Sequence, residues 1–205
     1  TLVSRIGKNR PKPMYLTKRG DYKLRQNAKR LTDVMEGIFY QTGIYDVMPK
    51  IFQDSCIFDM ACMKIGREGS ELFVERVFPN EMLWDQNASM YSDMPPSMHQ
   101  VKSIPLETLI LQFPEREEEL RYSAATDDKM SSEEGHEAEM VECVESWHLP
   151  STNDAEDGRH VIHMDTVILV DEEYTYTSYP FVFMNWGDSL IGFAGISLAE
   201  QLKNI

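Results

Sequence analysis

The residues able to do chemistry are few, and their spacing keeps them apart. Three cysteines occur, Cys56, Cys62 and Cys143, and none forms a CxxC pair. An odd count without that spacing suits buried thiols in a reducing compartment. His160 and His163 stand three apart on a stretch that reads as a strand, so alternation turns them to opposite faces and they cannot share a metal ion. Cys143 and His148 fail the same parity test. There is no GxxxxGK(S/T) phosphate cradle, no GxSxG nucleophile elbow and no HExxH zinc helix. Carboxylates are plentiful, but a charge run is usually a solvated face. The acidic stretch 115–139 lacks the spaced ligands and turn glycine of a calcium loop. These readings give no catalytic residue, no cofactor and no metal site.

Charge is the more informative feature. The net charge is −14, yet residues 1–30 hold ten basic groups against Asp21 alone. The other 175 residues hold ten basic and 33 acidic groups. A basic arm on an acidic body points to contact with nucleic acid or with an acidic neighbour. Arg5, Lys8, Arg10, Lys12, Lys18 and Arg19 are the candidate contacts. The acidic body argues against tight wrapping of DNA, because phosphates are repelled. No run of about 18 apolar residues exists, so no membrane span is expected.

At the start of the chain, Pro11 and Pro13 hold Asn9–Pro13 out of helix, so residues 1–20 read as an extended basic arm. A helical pair should occupy 21–66. The first helix runs from Asp21 to Gln41 with an apolar stripe at Leu31, Val34, Met35, Ile38 and Phe39, and Gly43 follows its end. The second starts near Asp46, buries Ile51, Phe52, Ser55, Cys56, Asp59 and Cys62, and closes at Gly66 and Gly69. From 67 to 190 the pattern is β-rich. Strands are expected over Glu71–Phe78, Met98–Lys102, Val141–Leu149, Arg159–Met164, Thr166–Val170 and Phe181–Trp186. Ser103 should cap a short helix with Leu106, Leu109, Ile110 and Phe113 on its apolar side. A short helix and a mobile acidic loop should fill about 115–139. Ser197 and Glu200 form a capping box at the head of a last helix, cut off at Ile205. The fold class is therefore α+β, with N-terminal helices packed on an antiparallel β-rich domain and a truncated C-terminal helix. A start without Met and a short last helix suggest a piece of a longer protein.

The order of these elements resembles that of a known family. Val144–Leu149, Gly158–Ile162, Val167–Val170 and Tyr179–Phe183 resemble the wing strands of podovirus-type phage portal proteins, the head-to-tail connectors. Asn9–Pro13 and Ala28–Leu31 resemble the family's N-terminal arm and first helix, and Phe52–Phe58 its second. Asp59-Met60-Ala61 stands where the family often has glycine. Glu75–Pro79 with Trp84-Asp85 resembles a strand and turn of the family, and Leu109–Pro114 its short helix ending in Phe-Pro. Gly192–Gly195 and Ser197–Glu200 resemble the lead into the stem helix, here 191–205.

The resemblance implies a structural ring, usually dodecameric, at one capsid vertex of the virion, assembled in the host cytoplasm. Such a ring docks terminase, conducts double-stranded DNA in packaging and ejection, and binds tail adaptors and capsid proteins. It implies no enzyme activity. The alternative from the residues alone is a nucleic-acid-binding module acting through the basic arm.

Overall fold

A computed structural model describes residues 2–8, 10–18, 20–90, 94–126, 139–152 and 154–203. Arg19, Asn153 and most of the acidic loop, 127–138, lie outside the described residues. In chain order the elements are α1 (Leu2–Ile6), α2 (Tyr22–Gln41), α3 (Ile44–Ile57), β1 (Ala61–Glu68), β2 (Glu71–Val77), β3 (Met82–Trp84), β4 (Ser97–Pro105), α4 (Leu106–Gln112), α5 (Glu117–Thr126), β5 (Met140–His148), β6 (Arg159–Met164), β7 (Val167–Glu173), β8 (Phe181–Met184) and α6 (Leu198–Leu202). The fold is α+β, with two antiparallel sheets, and the chain divides into two compact units.

The first unit comprises residues 1–79, 180–189 and 194–205. Its sheet has the order β2-β1-β8, with Cys62 opposite both Val77 and Phe183. Helix α3 packs on this sheet and also meets α1, α2 and α6. Ile44, Ile51, Ala61, Cys62, Val77 and Phe181 form the buried interior. Asp21 caps α2, its carboxylate accepting from Leu24 N at 2.8 Å. Gly43 follows that helix in the left-handed conformation (φ 63°) and directly starts α3. Two residues, Thr42 and Gly43, thus turn the chain between the helices, and at Gly43 a side chain would strain the backbone.

Two expectations fail here, and a third feature shows what periodicity leaves open. The arm is not extended throughout, because α1 is a helical turn seated against α3. The prolines act only from residue 11 onward, leaving Leu2–Ile6 without a breaker. The second helix begins at Ile44, with Asp46 inside its first turn, and it stops at Ile57 rather than near Gly66. Phe58 is extended, and Cys62, expected on a helical stripe, lies in β1 between two strands. Gly66 and Gly69 belong to the β1–β2 hairpin: Gly69 (φ 59°) makes its turn, while Phe73 lies so close over Gly66 that a Cβ there would meet its ring. Finally, the apolar stripe of α2 is only partly covered. Ala28 is its one buried residue among those described, while Leu31 and Val34 face outward.

The second unit comprises 80–179 and 190–193. Its sheet is a meander in sequence order, β3-β4-β5-β6-β7. Alternation puts Val141, Cys143, Glu145 and Trp147 of β5 on one face, level with Met98 and Gln100 of β4 and His160, Ile162 and Met164 of β6. Helices α4 and α5 supply Leu106, Leu109, Ile110 and Leu120 to the core with Val141, Cys143, Met164 and Val167. Ser103 does not cap α4. It pairs with Glu142 inside β4, and Leu106 N donates instead to the Glu139 carbonyl at 2.8 Å. The carbonyl just before β5 satisfies the donor that a serine would have taken. Tyr179, its phenol pushed up by burial, donates to the Pro95 carbonyl at 2.7 Å and pins the end of this unit.

One ion pair fastens α3 to its sheet. Asp54 is 1% exposed and receives Arg76 Nε at 2.6 Å and a second guanidinium nitrogen at 2.5 Å. Arg76 also lies over the Phe78 ring, 4.3 Å from its centre. Removing one side of the pair has unequal consequences. Arg76→Ala strands the buried carboxylate and should cost about 3 kcal/mol, whereas Asp54→Ala leaves a partly exposed guanidinium that water can reach and should cost less. Denaturant unfolding of the two variants checks the order; equal losses would show that the pair's desolvation is unimportant.

Candidate functional site

The basic arm is tied to its own chain. The Tyr45 hydroxyl donates to the Pro11 carbonyl at 3.0 Å, and Arg10 sits over the Tyr45 ring, 5.5 Å from its centre. Lys12 ion-pairs with Glu36 of α2, which raises the lysine's pKa through the hydrogen bond and then through charge. Tyr15 N donates to Thr32 Oγ1 at 3.1 Å. Residues 10–17 therefore form a strap along α2, over its Arg25, Ala28 and Thr32 side. Of the six candidate contact residues, Arg10 and Lys12 are engaged by Tyr45 and Glu36. Arg5, Lys8 and Lys18 are exposed, and Arg19 lies outside the described residues.

The strap covers one flank of α2 and leaves the other. Leu24, Leu31 and Val34 recur at helical spacing on the uncovered flank, which Lys23 and Arg30 border. An apolar stripe rimmed by cations is chemistry for docking on a surface with apolar floor and acidic edge.

In the second unit the notable group is His160. Its Nδ1 lies 2.8 Å from Glu172 Oε1 and its Nε2 3.0 Å from Glu145 Oε1. Its ring stacks on Trp147, with centres 5.3 Å apart. A carboxylate on each ring nitrogen requires both to carry protons, the imidazolium form. Burial opposes that charge, but the two carboxylates outweigh it through hydrogen bonds and charge, so the pKa is raised. The result is a clamp across β5, β6 and β7 on the core side of the sheet. His163 faces the other way, as parity required, with Nδ1 on the Asp165 carbonyl at 3.0 Å. There His99 bonds Ser146 at 2.8 Å, and burial, then the charge of His163, lowers its pKa.

A cleft of about 280 Å³ gathers Ser123, His163, Asp165 and Glu142. The Ser123 hydroxyl donates to Asp165 Oδ2 at 3.2 Å while His163 engages a backbone carbonyl through Nδ1, so no serine–histidine pair forms. Among the described residues no group of three or more His, Cys, Asp or Glu is placed to hold a metal ion. No described helix is long and apolar enough to cross a membrane.

A model of the phage P22-like portal protein family matches residues 1–178. The chain belongs to that family. No curated protein matches it. As a portal-family protein it is a structural component of the phage virion, and the strap, α2 and the meander all lie within the matched span. The portal family is structural rather than enzymatic.

Sequence reasoning did not anticipate the His160 clamp or the Asp54–Arg76 pair. The first had a signal: Glu145 alternates with Cys143 and Trp147 on a face otherwise apolar, and a carboxylate there needs a partner. The second had none, since Asp54 and Arg76 meet only once α3 folds onto β2.

The clamp makes stability depend on pH. Because the folded pKa of His160 lies above the unfolded value of about 6.5, its contribution is full below that value and is lost as pH rises through the folded pKa. His160→Gln should remove this loss and flatten the melting temperature between about pH 6 and 8 relative to the parent. An unchanged pH profile would mean that the imidazole is not charged in the fold.

Proposed function

We propose that this chain is a ring subunit of the portal at the unique capsid vertex, serving as conduit for DNA packaging and ejection and as docking platform for terminase and tail adaptors. The portal-family match over residues 1–178 carries the reading. The uncovered apolar flank of α2 supports it, because a ring subunit must bury such surface against neighbours. The charge supports it too. The second unit has 5 basic and 23 acidic residues, a net −18, so passing DNA would be repelled rather than gripped. In this reading residues 191–205, with α6 capped by Ser197 at 3.1 Å, lead into a stem helix.

Immunogold labelling of intact particles tests the placement. Label confined to one vertex per capsid is the expected result. Label on many vertices, or only inside empty host cells, would overturn it.

A nucleic-acid-binding role of the arm is the second reading, favoured by the exposure of Arg5, Lys8 and Lys18. If those three neutralise phosphates, replacing them by alanine should lower the salt slope of DNA binding by about 0.9 for each phosphate left without its cation. An unchanged slope would remove the arm from any role at the DNA.

A further inference from the structure

Charge is segregated by unit. The first unit has 15 basic and 11 acidic residues, net +4, against −18 for the second. Two second units facing each other repel, whereas a first unit of one copy and a second unit of the next attract. The uncovered flank of α2 sharpens this complementarity. Leu24, Leu31 and Val34 are 53%, 51% and 58% exposed, and Lys23 and Arg30 lie along their border.

The second unit has a surface of matching kind. Tyr122 of α5 and Ile168 of β7 are 77% and 52% exposed and border a cleft of about 460 Å³ floored by Val167. Its edge carries Asp165 and Glu119; Arg116 is also present but is ion-paired to Glu119 at 2.8 Å. Glu118, one helical turn before Tyr122, adds a further carboxylate beside the cleft, while Glu117 is ion-paired to Arg121 at 2.9 Å, so the rim is acidic on balance.

We propose that the α2 flank of one copy docks on the α5–β7 face of a second copy, apolar side chains meeting Tyr122 and Ile168 and Lys23 and Arg30 meeting the acidic rim. The proposal rests on the ring-subunit reading and assigns the two surfaces that reading leaves open. The contact is heterologous: each copy gives α2 to one neighbour and offers α5–β7 to the other.

Sedimentation of the full chain and two variants tests it. Leu31→Glu with Val34→Glu spoils the donor flank; Tyr122→Lys with Ile168→Lys spoils the receiving face. All four side chains are more than half exposed, and melting temperatures near the parent's verify folding. Each variant alone should lose assembly beyond the monomer. Mixed in equal amounts they should give dimers and nothing larger, since one good flank and one good face remain. Lys23→Glu with Arg30→Glu, which leaves the apolar flank intact, should also weaken assembly at about 0.05 M salt and regain part of it at about 0.5 M. Variants that assemble like the parent, or a mixture that gives no dimer, overturn the docking surfaces while leaving the ring reading in place. A parent chain that remains monomeric overturns both.

Discussion

The first unit depends on taking one charge out of water. Asp54 is buried beneath α3, and a carboxylate there is tolerable only because Arg76 meets both its oxygens. That bidentate grip fixes the rotation of α3 over β1 and β2. Much of the rest hangs from α3. Its Tyr45 holds the strap through Pro11 and Arg10 and meets Phe39 of α2 edge-on at 6.0 Å, and its Phe52 lies 6.1 Å from Trp186. A helix free to roll would break these interactions together. The pair therefore sets orientation more than it adds net stability, since an apolar pair of like volume could replace its energy but not its directionality.

The second unit solves the same problem differently. His160 is held by two carboxylates from neighbouring strands and by the face of Trp147. The bulge between Ile162 and His163 in the β6–β7 pairing lies just beyond it. A bulge loosens the register of a ladder. Side-chain bonds from β5 and β7 to one residue of β6 re-fix that register where the backbone alone would specify it least. On the opposite face, His99–Ser146 and Ser97–His148 bond across β4 and β5 at 2.8 and 2.7 Å, cross-strand pairs that serve the same end.

What could be read from the sequence divides along physical lines. Elements with a strong local signal came out close to their bounds: α2, the alternating strand β5, and the Ser197 cap of α6. Errors arose where tertiary pairing overrides local pattern. The run Met60–Ile65 reads as the tail of a helix until β2 and β8 pair with it on both sides. Ser103 looks like a cap until β5 claims its backbone. The arm was legible as basic and proline-broken, but not as a strap, because Tyr45 and Glu36 reach it from helices far along the chain. The α2 stripe was legible as amphipathic. Its incomplete burial was not, since periodicity tells which face is apolar and not what covers it.

That incomplete burial bears on how copies can pair. A two-fold contact through α2 would bring Lys23 and Arg30 of both copies together and leave the acidic unit without a partner. A contact between unlike surfaces satisfies both, but any open row of copies then ends in one uncovered apolar flank and one uncovered acidic face. Only closure on itself removes both ends. With the docking proposed above, the exposed Leu31 and Val34, a liability in an isolated chain, would become in a closed ring an apolar seam repeated at every junction, with the cations at its edge discouraging the wrong, like-to-like register.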